Sequence, residues 1–105
     1  LEDVLTVKVL KDGQSVNREL ILVKVRVEPN QRADVSSIVD IFRANIIDVG
    51  KESMIIELTG TKSKLEAFID LLEGYEILEL ARTGITGLSR GVDDVFYLEE
   101  DGEDY

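Results

Sequence analysis

The sequence predicts an α+β fold, a four-stranded antiparallel sheet with two helices on one face. Three observations predict it. Two segments share one helical apolar spacing, strand-like runs flank each of them, and a short glycine-containing turn joins the two central runs.

Val35, Ile38, Val39 and Phe42 fall at i, i+3, i+4 and i+7, one apolar stripe on a 3.6-residue period. This helix is expected to begin just after Pro29-Asn30, with Asn30 or Asp34 satisfying its free N–H groups. Leu65, Phe68, Ile69 and Leu72 repeat the spacing thirty residues on. That second helix is expected to start between Thr61 and Ser63, where Ser63 and Glu66 have capping-box spacing, and to stop at Gly74.

Residues 19–27 alternate, with Ile21, Val23, Val25 and Val27 on one face and Leu20, Leu22, Lys24 and Arg26 on the other. Residues 45–49 form a second strand, Gly50-Lys51-Glu52 a turn, residues 54–58 its hairpin partner and residues 76–82 the last strand. The order strand, helix, strand, strand, helix, strand is that of a ferredoxin-like (βαββαβ) two-layer sandwich. The helices are expected to cover Ile21, Val23, Val25, Ile47, Val49, Met54, Ile56, Leu78 and Leu80.

Two pieces lie outside this unit. Residues 4–9 alternate like a strand, free to pair with a sheet edge or another chain, and residues 11–15 form a turn or linker. Residues 92–105 read as an acidic, disordered tail, in which Val95, Phe96, Tyr97 and Leu98 could dock as a short strand. The expected organisation is 1–16 strand and linker, 17–91 domain, 92–105 tail. Because the chain opens on Leu1 rather than Met, an upstream segment is expected to have been removed.

A length of 105 residues allows one small domain. No apolar run approaches the ~20 residues that span a bilayer, so no membrane partner is expected. Of the net charge of −10, seven units come from Asp93, Asp94, Glu99, Glu100, Asp101, Glu103 and Asp104. The first ninety residues thus carry only −3 and no basic stripe, which argues against a nucleic-acid partner. With no Cys, thiolate chemistry and disulfides are excluded, and a cytoplasmic location is compatible. With no His either, the usual general base and the strongest metal ligands are missing. The serines lack an activating base, and no pair of carboxylates has a spacing that marks paired-acid chemistry. No catalytic residue, metal ligand or cofactor site is expected.

Two sets of residues remain. In Ala81-Arg82-Thr83-Gly84-Ile85-Thr86-Gly87-Leu88-Ser89-Arg90-Gly91, three glycines permit close backbone approach and positive φ, beside two arginines. Exposed N–H groups there could hold an anion, but the simpler reading is that the arginines pair with local carboxylates. Contact with a protein fits the segment better, which makes Arg82, Thr83, Gly84, Ser89 and Arg90 candidate partner contacts. Leu20, Leu22, Ile46, Ile55 and Ile77 are expected on the sheet face that the helices leave open, a candidate oligomer face implying at least a dimer. The alternative is an ordinary half-apolar surface, relieved by Lys24, Arg26, Asp48, Glu57 and Glu79.

The block at residues 81–91 follows three others: Arg18-Glu19-Leu20-Ile21-Leu22-Val23-Lys24-Val25, Ile41-Phe42-Arg43-Ala44-Asn45-Ile46-Ile47-Asp48-Val49 and Leu58-Thr59-Gly60-Thr61-Lys62-Ser63-Lys64-Leu65-Glu66-Ala67-Phe68. In this order and spacing the four resemble the C-terminal half of the small regulatory subunit of acetolactate synthase (acetohydroxyacid synthase) over roughly residues 1–91. The resemblance implies a cytoplasmic, non-catalytic chain of the same ferredoxin-like fold. Its partner would be the thiamine-diphosphate-dependent catalytic subunit, which it would help to activate and to place under feedback inhibition by a branched-chain amino acid, usually valine. Residues 1–16 would then be the end of a preceding ACT domain, and the effector site would lie on that missing domain. A stand-alone ACT-like amino-acid-sensing or oligomerisation module is the alternative. An RNA-binding domain of similar topology is disfavoured, since residues 54–58 carry no aromatic side chain.

Overall fold

A computed structural model of the chain describes residues 8–9, 15–92 and 96–97. The chain divides into two compact units, Arg18–Thr86 and a second made of Leu1–Asn17 with Gly87–Tyr105. In the second unit, strand β1 (Lys8–Val9) pairs antiparallel with β7 (Phe96–Tyr97), Lys8 opposite Tyr97. The remainder of the expected first strand and of the acidic tail lies outside the described residues.

Strand β2 (Ser15–Arg26) organises the sheet because β-branched residues recur at its inward positions, which suits a pleated, one-side-buried strand. It is followed by helix α1 (Arg32–Phe42), β3 (Asn45–Val49), β4 (Ser53–Gly60), helix α2 (Lys62–Leu71) and β5 (Ile77–Arg82). The spatial order β3-β4-β2-β5, with antiparallel neighbours, is the ferredoxin-like arrangement that the element order predicts. A further short strand, β6 (Thr86–Ser89), also pairs with β2.

One core lies between sheet and helices. Ile21, Val23, Val25 and Val27 of β2 and its continuation, with Met54, Ile56 and Leu58 of β4, meet Val35 and Val39 of α1 and Leu65, Phe68 and Leu72 of α2 and its cap; all are buried. Burial of this kind is the main favourable term in folding, about 1.5–3 kcal/mol for each large aliphatic or aromatic side chain.

The helix ends differ from expectation. Neither Asn30 nor Asp34 caps α1. Residues Pro29–Gln31 first make a turn of 3-10 helix, in which Glu28 N donates to Gln31 Oε1 (3.0 Å) and Gln31 N to the Glu28 carbonyl (2.8 Å). Pro29 suits that first turn because its missing N–H is unneeded there. At α2 the cap is Thr61, whose Oγ1 accepts from Lys64 N (3.3 Å), so the box is not built on Ser63 and Glu66. Helix α2 ends at Leu71, with Leu72 as its cap, ahead of Gly74. Helix α1 ends on Arg43, a non-glycine residue at φ 57°, which lets Arg43 N reach the Asp40 carbonyl and Ala44 N that of Val39.

The strand faces need two corrections. The β3–β4 register shifts between Ile46 and Asp48, and the β2–β5 register shifts between Lys24 and Val25. Each shift inserts one unpaired residue, Ile47 in β3 and Leu78 in β5, and so reverses the alternation beyond it. Ile46 therefore stands opposite the core residue Ile56, and Ile77 opposite Val25, on the helix-side face and not on the open one. Ile47, Val49 and Leu80 were expected under the helices but are 54%, 54% and 44% exposed, because they lie on or beside the outer strands where helix cover ends.

The turn between β3 and β4 closes with Gly50 N donating to the Ser53 carbonyl (2.8 Å). A Cβ on Gly50 would lie 2.8 Å from Ser53 Oγ, a contact that rotation of the serine hydroxyl would relieve. Arg32 of α1 holds the turn from the other side, donating through Nη2 to the carbonyls of Gly50 (2.9 Å) and Lys51 (3.0 Å).

Candidate functional site

Of the residues expected to contact a partner, the structure gathers Arg82, Thr83 and Gly84 around a residue that the sequence reading did not single out, Glu19. The Glu19 side chain is only 6% exposed. It accepts from Arg82 Nε (Oε2, 3.0 Å) and Nη2 (Oε1, 2.9 Å), a two-pronged ion pair, and from Gly84 N (Oε2, 3.2 Å). Three donors on one buried carboxylate are what keeping it ionised requires. The Arg82 hydrogen bonds hold the Glu19 carboxyl below the ordinary glutamate value against the opposing effect of burial, with the Arg82 charge and the Gly84 N–H adding to them. The same hydrogen bonds raise Arg82.

Thr83 completes the arrangement. Its N donates to the Leu20 carbonyl (3.0 Å), its Oγ1 accepts from Leu20 N (3.1 Å), and its hydroxyl donates to the Gly84 carbonyl (2.9 Å). The chain then turns at Gly84, whose φ of +86° is readily adopted only by glycine, and presents Ile85 at 61% exposure. Ser89 and Arg90 belong to the second unit. A signal for Glu19 was present in the alternation: it shares the inward parity of Ile21, Val23 and Val25, where a charged residue needs a partner.

On the open face of the sheet, Leu20, Leu22 and Ile55 remain from the candidate oligomer set, with Ala81 opposite Leu22. Leu22, Lys24, Ile55, Glu79, Leu80 and Ala81 line a shallow depression there. The Lys24 Nζ to Glu79 Oε1 ion pair (2.9 Å) crosses it, and Arg26 pairs with Glu76 (2.9 Å) and Glu52 (3.4 Å) beyond. The surface is apolar in the middle and charged at one end. Among the described residues no group of three acidic, His or Cys side chains is placed to hold a metal ion, and no helix is long and apolar enough to cross a membrane.

The fold defines a small α+β domain of ferredoxin-like topology. Residues 18–91 match the family model of the small subunit of acetolactate synthase. The chain is 43% identical over 89 residues to the acetolactate synthase small subunit of Bacillus subtilis, covering 85% of this chain and 52% of that protein. It is 47% identical over 87 residues to the probable acetolactate synthase small subunit of Archaeoglobus fulgidus, covering 82% and 55%. Among solved structures it is similar to the small subunit from Thermotoga maritima, with a TM-score of 0.72 and 44% identity over 78% of this chain and 50% of that one. The chain belongs to the acetolactate synthase small-subunit family, and it spans about half the length of these relatives.

Proposed function

We propose that this chain is the C-terminal part of a regulatory subunit, which performs no chemistry itself and acts by binding the catalytic subunit of acetolactate synthase. The family match over residues 18–91 carries this reading. The subunit supports activation of a cytoplasmic, thiamine-diphosphate-dependent partner and its feedback inhibition by a branched-chain amino acid. The effector is held by the part of the relatives that this chain does not cover. Regulation of this kind is a coupling free energy of about 1–3 kcal/mol between effector site and active site. The domain contributes to it by binding differently to two states of the complex. The open face around Leu20, Leu22 and Ile55 serves self-association, and the segment after Arg82 faces the catalytic subunit.

The test is co-elution of the 105-residue chain with the catalytic subunit of the same organism on size-exclusion chromatography. A shared peak supports the reading. Separate peaks at micromolar concentrations of both place docking elsewhere in the regulatory subunit and reject it for this domain.

A further inference from the structure

Glu19 is buried and ionised, yet it lies at the edge of the core. Its two partners come from the strand end and turn that lead into the segment assigned above to the catalytic subunit. An arginine gripped at two nitrogens by a buried carboxylate cannot leave it for a partner's acid without stranding that carboxylate, so its charge is already matched inside the domain even though its side chain is 34% exposed. The Gly84 amide is likewise engaged, and its left-handed φ fixes the direction in which the chain continues. The first large side chain that this turn exposes is Ile85.

We propose that Glu19 is a positioning residue. It retains Arg82 inside the domain as a structural cation and, through the Gly84 N–H, sets the turn that presents Ile85 to the catalytic subunit. Partner recognition at this turn is thus apolar and shape-based, and Arg82 is not its ionic anchor. The inference rests on the docking reading above, and its experiment separates the two.

The Gly84 amide exchange rate is measured by NMR, and association with the catalytic subunit by titration at low and high salt. Both use the wild-type chain and its Glu19→Gln, Arg82→Lys and Ile85→Ser variants. Glu19→Gln keeps the side-chain shape and removes the charge, and Arg82→Lys keeps the charge and removes the two-pronged geometry. Either is expected to speed Gly84 exchange about tenfold or more, with an unchanged far-ultraviolet circular dichroism spectrum. Both are expected to weaken association, as is Ile85→Ser, which leaves Gly84 exchange as it is. Association of the wild type is expected to change little with salt.

Unchanged Gly84 exchange in a folded Glu19→Gln or Arg82→Lys chain overturns the positioning role. Faster exchange with full-strength association overturns presentation of the turn. A steep salt dependence that Arg82→Lys preserves and Ile85→Ser does not touch restores Arg82 as an ionic anchor. If the wild-type chain does not associate at all, the docking reading and the presentation of Ile85 fall together, and the exchange data alone decide the hold of Glu19 on the turn.

Discussion

Phe42 and Phe68 meet edge to face, with ring centroids 5.3 Å apart and planes inclined at 68°. The pair joins the last turn of α1 to the middle of α2 over the same core, and edge-to-face contact of this kind adds about 0.5–1.5 kcal/mol to area burial. Phe68 is fully buried, whereas Phe42 is only partly so. Replacing Phe68 by Ala is expected to destabilise the domain by about 3–5 kcal/mol, and Phe42→Ala by clearly less. Urea unfolding of the two variants checks this, and equal losses would contradict the burial difference.

Acid should act through Glu19. Its folded-state pKa lies below the ordinary value because Arg82 hydrogen-bonds the charged form. The unfolded chain therefore takes up the proton first as pH falls. The contribution of Glu19 is complete above the unfolded carboxylate pKa and disappears as pH drops through the folded one. Glu19→Gln is thus expected to lower stability near neutrality and to flatten the acid side of the stability profile. Denaturation midpoints between about pH 3 and pH 7 give the comparison, and parallel profiles for wild type and variant would refute it.

Arg43 ends α1 in a left-handed conformation that costs a side-chain-bearing residue about 1–2 kcal/mol. Part of this is offset in a glycine variant by the extra freedom of its unfolded chain. Arg43→Gly is expected to stabilise the domain by about 0.5–1 kcal/mol. A lower melting temperature for the variant would show that the Arg43 side chain contributes more than its backbone costs.

On the open face, Leu22 and Ile55 lie near Lys24 and Glu79 at the depression. Leu22→Asp would place a charge in the apolar centre of that face without touching the core, since Leu22 is 39% exposed. Sedimentation of the wild-type chain is expected to show a dimer that Leu22→Asp converts to monomer while its thermal unfolding stays cooperative. A wild-type monomer at all accessible concentrations would remove self-association from this face.

Valine, leucine and isoleucine are expected to leave the melting temperature of this chain unchanged. A ligand bound at 100 times its dissociation constant would add about 2.7 kcal/mol, a shift too large to miss in a domain of this size. A clear shift with any of the three would locate an effector site within these residues and favour the sensing-module alternative.

The element order, the inward set on β2 and β4, and both helix stripes were legible in the sequence, because one-side-buried elements must repeat at their own periods. Ile46 and Ile77 were misplaced for a specific reason. A strand bulge changes the face of every residue beyond it, and neither Ile47 nor Leu78 differs in type from an ordinary strand residue. The caps escaped because several Ser, Thr, Asn and Asp side chains compete near each helix start, and only backbone geometry chooses Thr61 over Ser63. At the candidate site, Arg82, Thr83 and Gly84 stood out through their glycine-rich setting. Glu19 lies more than sixty residues earlier in the chain, and only the fold brings it to them.

Strand β2 is matched on one side by β4 and on the other by β5, where Ile21 faces Arg82. A ribosome delivers these flanks at different times. Until residues 77–82 have emerged, the longest strand of the domain has one row of amides and carbonyls without a neighbour, next to the exposed side chain of Leu22. A chain cut short anywhere within α2 would keep its early hairpin and offer that raw edge to other chains, so truncation products of this domain should aggregate, not simply unfold.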